Sequence, residues 1–576
     1  MFRLSWIAFA CMLASCTNAS DAPASITPRI SWLGPSPGVP NGVETIRVTI
    51  TGGEMPVVTN YAVSALPDAD SDGRAEASVR GLPVDVRLHL RVEGRDANDA
   101  VTHVGQADLT LSARERREVE LRMAPVAVAT SLDGPLATGL AMATVTRLRD
   151  GRLLVAGGVQ SVATVEEGEF CGGESTGPDL RCFVGAATGR LWVFDPASLR
   201  FTALTARLAH PRALHSATLL EDGRVLFAGG ASAPVLRFRR QGAGPNEGWQ
   251  LDFAATSTGY VPVEIFDPLT GEGDAIERGE VTTETAVAAA HLGGAASTIP
   301  GDDSSVLLFG GYGDSSTFEM FETRPALRRT TSAIAPPMPL GTEARALVTL
   351  GGAAPALFVM RHAAAATSAD ELVERWELGD GAGEVSPVAL TTTDLVPQQL
   401  FGEGRSVCSF ADGHGVVLGW YGVPCTPGMS TSFFSDEETP YEMCAPALDR
   451  NVTLSYDGST VGAVRTNALA AHAFASSAML DDGSCAVVGG YGDLNWADQR
   501  SIQIVRTARD SAGRAGIDRF GRAGIDRFGR TGWGRGFSAA ASLGENGLLI
   551  VGGLSLDVDD GTAALTAPAE VVLLPR

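Results

Sequence analysis

Six cysteines beyond the N-terminal region, Cys171, Cys182, Cys408, Cys425, Cys444 and Cys485, are the side chains of this sequence best suited to covalent chemistry. No Cys-x-x-Cys and no clustered His accompanies them, so disulfide formation fits better than zinc binding. Short separations within single loops pair Cys171 with Cys182 and Cys425 with Cys444. Cys408 and Cys485 lie in strands of neighbouring units and either pair or remain buried thiols. Asp68-Ala-Asp70-Ser-Asp72-Gly73, with Glu76 following, spaces its carboxylates as a calcium loop does. Val79 stands where such a loop needs a closing bidentate Glu, so a solvated acidic turn is the competing reading. Gly513-Arg-Ala-Gly-Ile-Asp-Arg-Phe520 is repeated at once as residues 521–528. With Arg506, Arg509, Arg530 and Arg535 it forms the basic concentration of the chain; Arg interleaved with Phe suits anionic glycans or phosphate, and a tandem duplication in a loop is the alternative.

Several chemistries are excluded or unsupported. The chain contains no lysine, which removes Schiff-base catalysis and a P-loop. His-Glu-x-x-His does not occur. His215, His291 and His472 sit at or just before strands that would line a central channel, where a structural role competes with metal binding. No catalytic residue, cofactor or firm metal site is assigned. A net charge of −23, from 44 basic and 67 acidic residues, argues against nucleic acid as a partner.

The elements that position these residues are strands. His215 to Gly230 reads as a hairpin: an apolar run, a turn at Asp222-Gly223, a second apolar run, and a glycine pair. Asp-Gly suits a two-residue turn with positive φ at both central residues. The same design recurs from 125 to 576 at Asp150-Gly151, at Gly310-Gly311, at Gly351-Gly352, at Asp412-Gly413, at Asp482-Gly483 with Gly489-Gly490, and at Asn546-Gly547 with Gly552-Gly553. A third strand follows in several units, as in Leu191-Trp-Val-Phe-Asp-Pro196, Val263-Glu-Ile-Phe-Asp-Pro268 and Glu570 to Leu574, and a fourth is readable near Phe201 to Leu204. Such a repeat of four strands predicts a β-propeller, here of seven blades, with Val126 to Leu132 pairing with the last strand to close the ring. Residues 29–124 alternate with period two and predict a separate β-sandwich.

The glycine pair and the Phe-Asp-Pro of the third strand resemble the kelch repeat and the related galactose-oxidase-like propellers. The sandwich more weakly resembles immunoglobulin or fibronectin-III modules. Copper-radical oxidases of the first family hold copper with two Tyr and two His, one pair adjacent as Tyr-His. None of Tyr61, Tyr260, Tyr312, Tyr421, Tyr441, Tyr456 and Tyr491 precedes a His, so that site is not carried over.

At the N-terminus, Arg3 and the apolar run Leu4 to Met12 form a signal peptide too short to span a bilayer. Leu13-Ala14-Ser15-Cys16 resembles the bacterial lipobox, which implies lipidation of Cys16 and membrane attachment through that lipid. Thr17 in place of Asp points to the outer membrane, and 17–28 reads as a flexible tether. The expectation is therefore an all-β chain: 1–16 signal peptide and lipobox, 17–28 tether, 29–124 sandwich, 125–576 propeller. Its expected function is non-catalytic binding of a protein or glycan in the cell envelope; the alternative is a carbohydrate-active propeller enzyme, an oxidase, hydrolase or lyase. The ligand face is expected where loops leave the second strands, with Tyr312, Asp314, Trp420, Tyr421, Tyr491 and Asp493 as contacts.

Overall fold

The computed structural model describes residues 23–329 and 474–573 apart from several loop segments, the longest being 63–74, 312–318, 492–499 and 520–530. Of residues 330–473 it describes the strands, and residues 1–22 and 574–576 lie outside it. The chain divides into two compact units: 1–126 with 196–199, and 127–195 with 200–576.

In the first unit, two sets of strands bury alternate residues in one core. Thr45–Thr51 contributes Ile46, Val48 and Ile50, and Arg87–Arg95 contributes Leu88, Leu90 and Val92. Across from them, Ala24–Trp32 contributes Ile26, Ile30 and Trp32, and Arg116–Pro125 contributes Val119, Leu121 and Met123. Ala24–Trp32 runs parallel to Arg116–Pro125, in register from Ser25 opposite Arg116 to Trp32 opposite Met123. Residues 24–28, expected in the flexible tether, are therefore strand. Ile26 falls in phase with Ile30, and with Ala24 it is buried in the core.

The second unit is a seven-bladed β-propeller of four-stranded antiparallel sheets. Blade 1 comprises Thr144–Arg147, Leu153–Ala156, Arg190–Asp195 and Arg200–Arg207, and blade 2 Ser216–Leu219, Val225–Ala228, Val263–Thr270 and Ile276–Thr285. Blade 3 comprises Ala295–Ile299, Asp302–Phe309, Glu319–Glu322 and Arg328–Arg329, and blade 4 Ala346–Leu350, Ala356–Met360, Val373–Leu378 and Val385–Val388. Blade 5 comprises Ser406–Ser409, Gly415–Leu418, Asn451–Tyr456 and Thr460–Thr466, with Thr391–Thr393 added in parallel at its edge. Blade 6 comprises Ser476–Met479, Cys485–Val488, Ile502–Arg509 and Ala515–Arg519. Blade 7 takes Ala539–Ser542, Gly547–Val551 and Glu570–Leu573 from one end of the array and Ala129–Ser131 from the other, with Glu570 opposite Ser131.

The second strands of blades 1, 2 and 6 are apolar at every position because both their faces are covered. Alternate residues serve opposite seams. Val225 and Phe227 pack on Leu154, Ala156 and Val193 of blade 1, whereas Leu226 and Ala228 pack on Val306 and Leu308 of blade 3. Ala486 and Val488 meet Leu548 and Ile550 in the same way.

The hairpin turns differ from the two-residue form expected. Leu148 N donates to Arg152 O at 2.8 Å and Gly151 N to Leu148 O at 3.1 Å, and blades 2 and 6 repeat both bonds at Leu220–Arg224 and Leu480–Ser484. These are three-residue loops, with a type I turn followed by a glycine in the left-handed region. Only the glycine has positive φ, at 91°, 92° and 80° for Gly151, Gly223 and Gly483. The Asp is free to keep negative φ because its carboxylate accepts the backbone N–H two residues on: Arg152 to Asp150 at 3.0 Å, Arg224 to Asp222 at 3.1 Å, Ser484 to Asp482 at 2.9 Å.

The glycine pairs at the other end of the second strands of blades 1, 6 and 7 meet the next blade. Gly158 N donates to Arg212 O at 2.8 Å, Gly490 N to Arg535 O at 2.7 Å, and Gly553 N to Leu140 O at 2.7 Å. Space at the last of these seams is the tightest. Gly552 has φ +59° and a Cβ there would lie 1.5 Å from Leu140 O. We expect Gly552→Ala to destabilise the propeller by about 3 kcal/mol or more, through a forced backbone shift added to left-handed strain. Urea unfolding followed by tryptophan fluorescence measures this; a loss below about 1 kcal/mol would show that the seam yields easily.

Candidate functional site

The site is built from the residues leading into each inner strand. Four positions before it stand Arg212 in blade 2, His291 in blade 3 and Arg535 in blade 7. Each meets the Glu at the matching place in its blade's third strand. Arg212 Nη2 donates to Glu264 Oε1 and Arg535 Nη2 to Glu570 Oε2, both at 2.5 Å, and His291 Nε2 lies 3.0 Å from Glu319 Oε1. Both Arg–Glu pairs are fully buried. Further bonds offset the cost of that burial. Glu264 accepts the N–H groups of Ala209 at 2.7 Å and His210 at 3.1 Å. Arg212 donates to Pro262 O at 2.5 Å and to Gly229 O at 3.3 Å, while Arg535 donates to Gly552 O at 2.9 Å. The cations thus tie the glycine pair to the third strand of the same blade. Arg535, counted from sequence in the basic concentration, is therefore a buried structural residue.

His215 is held in the seam between blades 1 and 2. Its Nε2 lies 3.0 Å from Thr144 Oγ1 and its ring 5.8 Å from that of Phe227. Burial, and then the nearby charge of Arg212, push its pKa well below the ordinary 6.5. The imidazole is neutral at physiological pH. His291 is paired with Glu319 as described, and His472 lies outside the described residues.

Two positions before the inner strands, Met142, Leu214, Phe474 and Phe537 have φ of 58°, 56°, 55° and 52°, and Gly293 has 68°. Their backbones are linked from blade to blade. Phe537 N donates to Phe474 O at 3.0 Å, Met142 N to Phe537 O at 2.9 Å, Leu214 N to Met142 O at 3.1 Å, and Gly293 N to Leu214 O at 2.7 Å. The arc runs through blades 6, 7, 1, 2 and 3, and its four large side chains enter one apolar cluster at the mouth of the channel. Phe474 and Phe537 stack at 4.5 Å.

A second sheet covers this cluster. The loops after the second strands of blades 1 and 2 contribute Val159–Thr164 and Leu180–Ala187, and Pro234–Gln241 and Gly248–Ala255, paired in that order. Phe183, Leu236, Phe238, Leu251 and Phe253 join the mouth cluster, with Phe253 5.6 Å from Phe474 and 5.8 Å from Phe537. The hairpin Leu554–Asp557 and Thr562–Leu565 of blade 7 holds the rim: Trp249 Nε1 donates to Asp559 at 2.8 Å and Thr164 Oγ1 to Gly561 O at 2.9 Å. The guanidinium groups of Arg181 and Arg240 lie 5.9 and 5.6 Å from the Trp249 ring.

On the outer side of this cap, a disulfide joins Cys171 to Cys182 with Cα atoms 6.3 Å apart. It pins a short hairpin, Phe170–Cys171 against Glu174–Ser175, over Leu180, Cys182 and Val235. Glu174 pairs with Arg239, and the loop is braced by Gly168 N to Thr176 O at 3.0 Å and Thr176 N to Glu169 O at 2.9 Å. Phe170 is 76% exposed at its tip, flanked by exposed Glu166, Glu167 and Glu169.

The opposite end of the channel is polar. Asp481 of blade 6 accepts Arg147 Nη1 of blade 1 at 2.7 Å and Ser542 Oγ of blade 7 at 3.3 Å. Burial opposes the charge of Asp222, but hydrogen bonds from the Arg224 side chain and backbone and from Arg324 hold its carboxyl down at about 2.

Tyr491, expected to face a ligand, is only 1% exposed. Its hydroxyl donates to Leu554 O at 2.7 Å, and its ring fills the space beside Gly536, where a Cβ would approach it to 2.0 Å. The residue after the glycine pair turns inward to pack, so Tyr491 belongs to the mouth cluster and not to a surface. Tyr312, Asp314, Trp420, Tyr421 and Asp493 lie outside the described residues, as do Cys16, Asp68, Asp70, Asp72 and Cys425. Glu76 and Cys444 fall in the strands Ala75–Glu76 and Tyr441–Cys444. Cys485 is disulfide-bonded, to a cysteine outside the described side chains. Sequence reasoning passed over the Arg–Glu pairs and the cap. The signal for the pairs was present: Arg212-Ala-Leu-His-Ser216 and Arg535-Gly-Phe-Ser-Ala539 lead into their inner strands alike, and Glu follows the first residue of Val263-Glu-Ile-Phe and Ala569-Glu-Val-Val.

No family model matches the sequence, and no curated protein matches it. Similar solved structures include a fungal alcohol oxidase of the AA5 family in complex with copper, 14% identical, with a TM-score of 0.43 over 77% of this chain and 76% of that one. YjhT is 10% identical, with a TM-score of 0.34 over 77% and 96% of the two chains. An intramolecular trans-sialidase from Ruminococcus gnavus in complex with oseltamivir carboxylate is 7% identical, with a TM-score of 0.35 over 78% and 97%. At these identities and scores, no chemistry passes from them to this chain.

The depressed pKa of His215 has a stability consequence. The unfolded chain takes up a proton near pH 6.5 and the folded protein does not. Stability is therefore full above that pH and falls below it, by about 1.4 kcal/mol per pH unit. His215→Gln is expected to flatten this part of the profile. Denaturant unfolding at pH 5, 6 and 7 measures it, and equal slopes in the two proteins would remove His215 as the source.

Proposed function

We propose that this protein is a cell-envelope lipoprotein, attached to the outer membrane through Cys16, whose kelch-like propeller is a non-catalytic binding module for a protein or glycan. The observation that carries this reading is the apolar closure of the mouth. Met142, Leu214, Phe474 and Phe537 occupy the place where a propeller pocket would open, and the cap sheet seals them. What that side offers a partner is the outer surface of the cap, with Phe170 presented on a hairpin already rigid before binding. A rigid exposed aromatic loses little freedom on contact and serves as a binding anchor.

Two experiments test this. Cys16→Ser should move the protein from the membrane to the soluble fraction with its folding intact; unchanged partition in detergent-free fractionation would rule out the lipid anchor. The lipid-free ectodomain, tested on glycan arrays and by cross-linking in intact envelopes, should bind without turning over sugars. Phe170→Ala should weaken the contact by about tenfold or more. Oxidation or hydrolysis of a sugar by the unmodified protein would replace this reading with the enzymatic one.

A further inference from the structure

The disulfide-pinned hairpin of the cap divides its carboxylates into two sets. At its base Glu174 is neutralised: Arg239 pairs with it, and Arg237 Nη1 lies 4.0 Å from Glu174 Oε1. At its tip Glu166, Glu167 and Glu169 are exposed, and among the described residues no cation pairs with any of them. The backbone, not these carboxylates, holds the shape of the tip. Thr176 Oγ1 donates to Glu166 O, Thr176 N to Glu169 O at 2.9 Å, and Glu169 N to Glu166 O at 3.1 Å. Folding of the hairpin therefore does not require the three charges, and their mutual repulsion opposes it. Two further Arg of the cap are engaged elsewhere. Arg181 and Arg240 lie against the Trp249 ring, and Arg181 Nη1 donates to Gly177 O at 2.7 Å.

The neighbouring rim adds negative charge. Thr164, two residues before Glu166, donates to Gly561 O at 2.9 Å, which sets the blade 7 turn with exposed Asp557, Asp559 and Asp560 beside the start of the hairpin. Phe170 follows Glu169 directly and is 76% exposed. Half-buried Val165, Val184 and Ala254 pack against the apolar cluster that the disulfide joins. The surface thus presents an aromatic ring bordered by unpaired carboxylates.

That chemistry selects among partners. An anionic glycan, a phosphate or an acidic membrane is repelled, and a second copy brings carboxylate against carboxylate. A neutral glycan gains a stacking surface in Phe170 but leaves the charges desolvated without a partner. A Lys or Arg side chain gives a carboxylate a charge-assisted hydrogen bond while its aliphatic stem covers apolar surface.

We propose that the tip of this hairpin docks a cationic segment of a partner protein, with Lys or Arg side chains among Glu166, Glu167 and Glu169 and an apolar side chain against Phe170. This rests on the binding role proposed above and narrows its partner from protein or glycan to a basic protein segment. Rim charges act at range and a desolvated ring acts on contact, so the carboxylates set the rate of association and Phe170 the rate of dissociation.

Surface plasmon resonance of the mature Cys16→Ser chain over immobilised peptides tests this. The probes are a peptide of Lys and Ser about one central Leu, and the same peptide with Gln or with Glu in place of Lys. The Lys peptide alone should bind, about tenfold more weakly when NaCl is raised from about 50 to about 300 mM. Glu166→Gln/Glu167→Gln/Glu169→Gln should slow association about tenfold, and Phe170→Ala should speed dissociation by a similar factor. Glu44→Gln/Asp85→Asn/Glu120→Gln, which removes the same charge from exposed positions of the sandwich, should change neither rate. No binding of the Lys peptide, or equal binding of the Lys and Gln peptides, overturns the proposal. So does equal weakening by the two triple variants, which would mark a general attraction to a chain of net charge −23. Glycan binding that Phe170→Ala removes, with no peptide bound, overturns the basic partner and leaves the binding module standing. Turnover of a sugar would overturn the binding module instead; a Lys peptide bound by the unmodified protein and lost in the tip variant would still support this surface.

Discussion

The propeller depends on one close approach of backbone to backbone. After blades 1, 6 and 7 the amide of the second glycine of the pair reaches a carbonyl in the lead-in of the next blade, as Gly158 does Arg212, Gly490 does Arg535 and Gly553 does Leu140. No side chain fits between the two chains at that distance. Once the lead-ins are drawn in this far, the residues two before the inner strands crowd into an arc and adopt left-handed φ to bond one another. Their side chains then point into the mouth, and water cannot be left against Met142, Leu214, Phe474 and Phe537 at low cost. The cap sheet follows from that requirement: its inner face supplies the apolar cover that the arc demands.

The ties that accompany this approach come in two chemistries. Blades 2 and 7 pair a buried guanidinium with Glu264 or Glu570 and blade 3 pairs His291 with Glu319, each Glu opposite the next-to-last residue of its second strand. In blade 1 the matching places hold Leu140 and Trp192, both buried. A buried ion pair and a well-packed apolar pair can contribute similarly to stability, so one ring accommodates both. The ion pairs add direction: a guanidinium that must satisfy a carboxylate and two carbonyls has one orientation, whereas an apolar contact tolerates several.

Much of this was legible in the sequence. Asp-Gly and Gly-Gly mark the two ends of a hairpin, and their recurrence, with a third strand after each, predicts the blades and the strand Ala129–Ser131 that completes the last one. What was lost lay below the level of pattern. Asp-Gly fits either a two- or a three-residue turn, and the choice is made by the carboxylate bonding two residues ahead. Tyr491 reads equally well as a surface ring or a core ring; the missing side chain at Gly536, distant in sequence, decides for the core. Arg212 and Glu264 read as solvent-facing charges because nothing local shows that they meet. The cap strands have no repeat to reveal them, and Pro28 disguised the start of the first strand of the sandwich, where the alternation of Ile26 and Ile30 was too brief to stand out.

The strand Ala129–Ser131 makes the ring a loop in time as well as in space. During synthesis it emerges before any blade exists, and its partner Glu570–Leu573 emerges after all the others. Throughout that interval the third strand of the future blade 7 is missing and the early segment waits unpaired. Blades 1 to 6 can form in succession from local contacts, but closure brings together the most distant pairing of the unit and must come last. A nascent propeller of this kind spends most of its biogenesis as an open arc with two free ends, and it becomes resistant to proteolysis only in one late step.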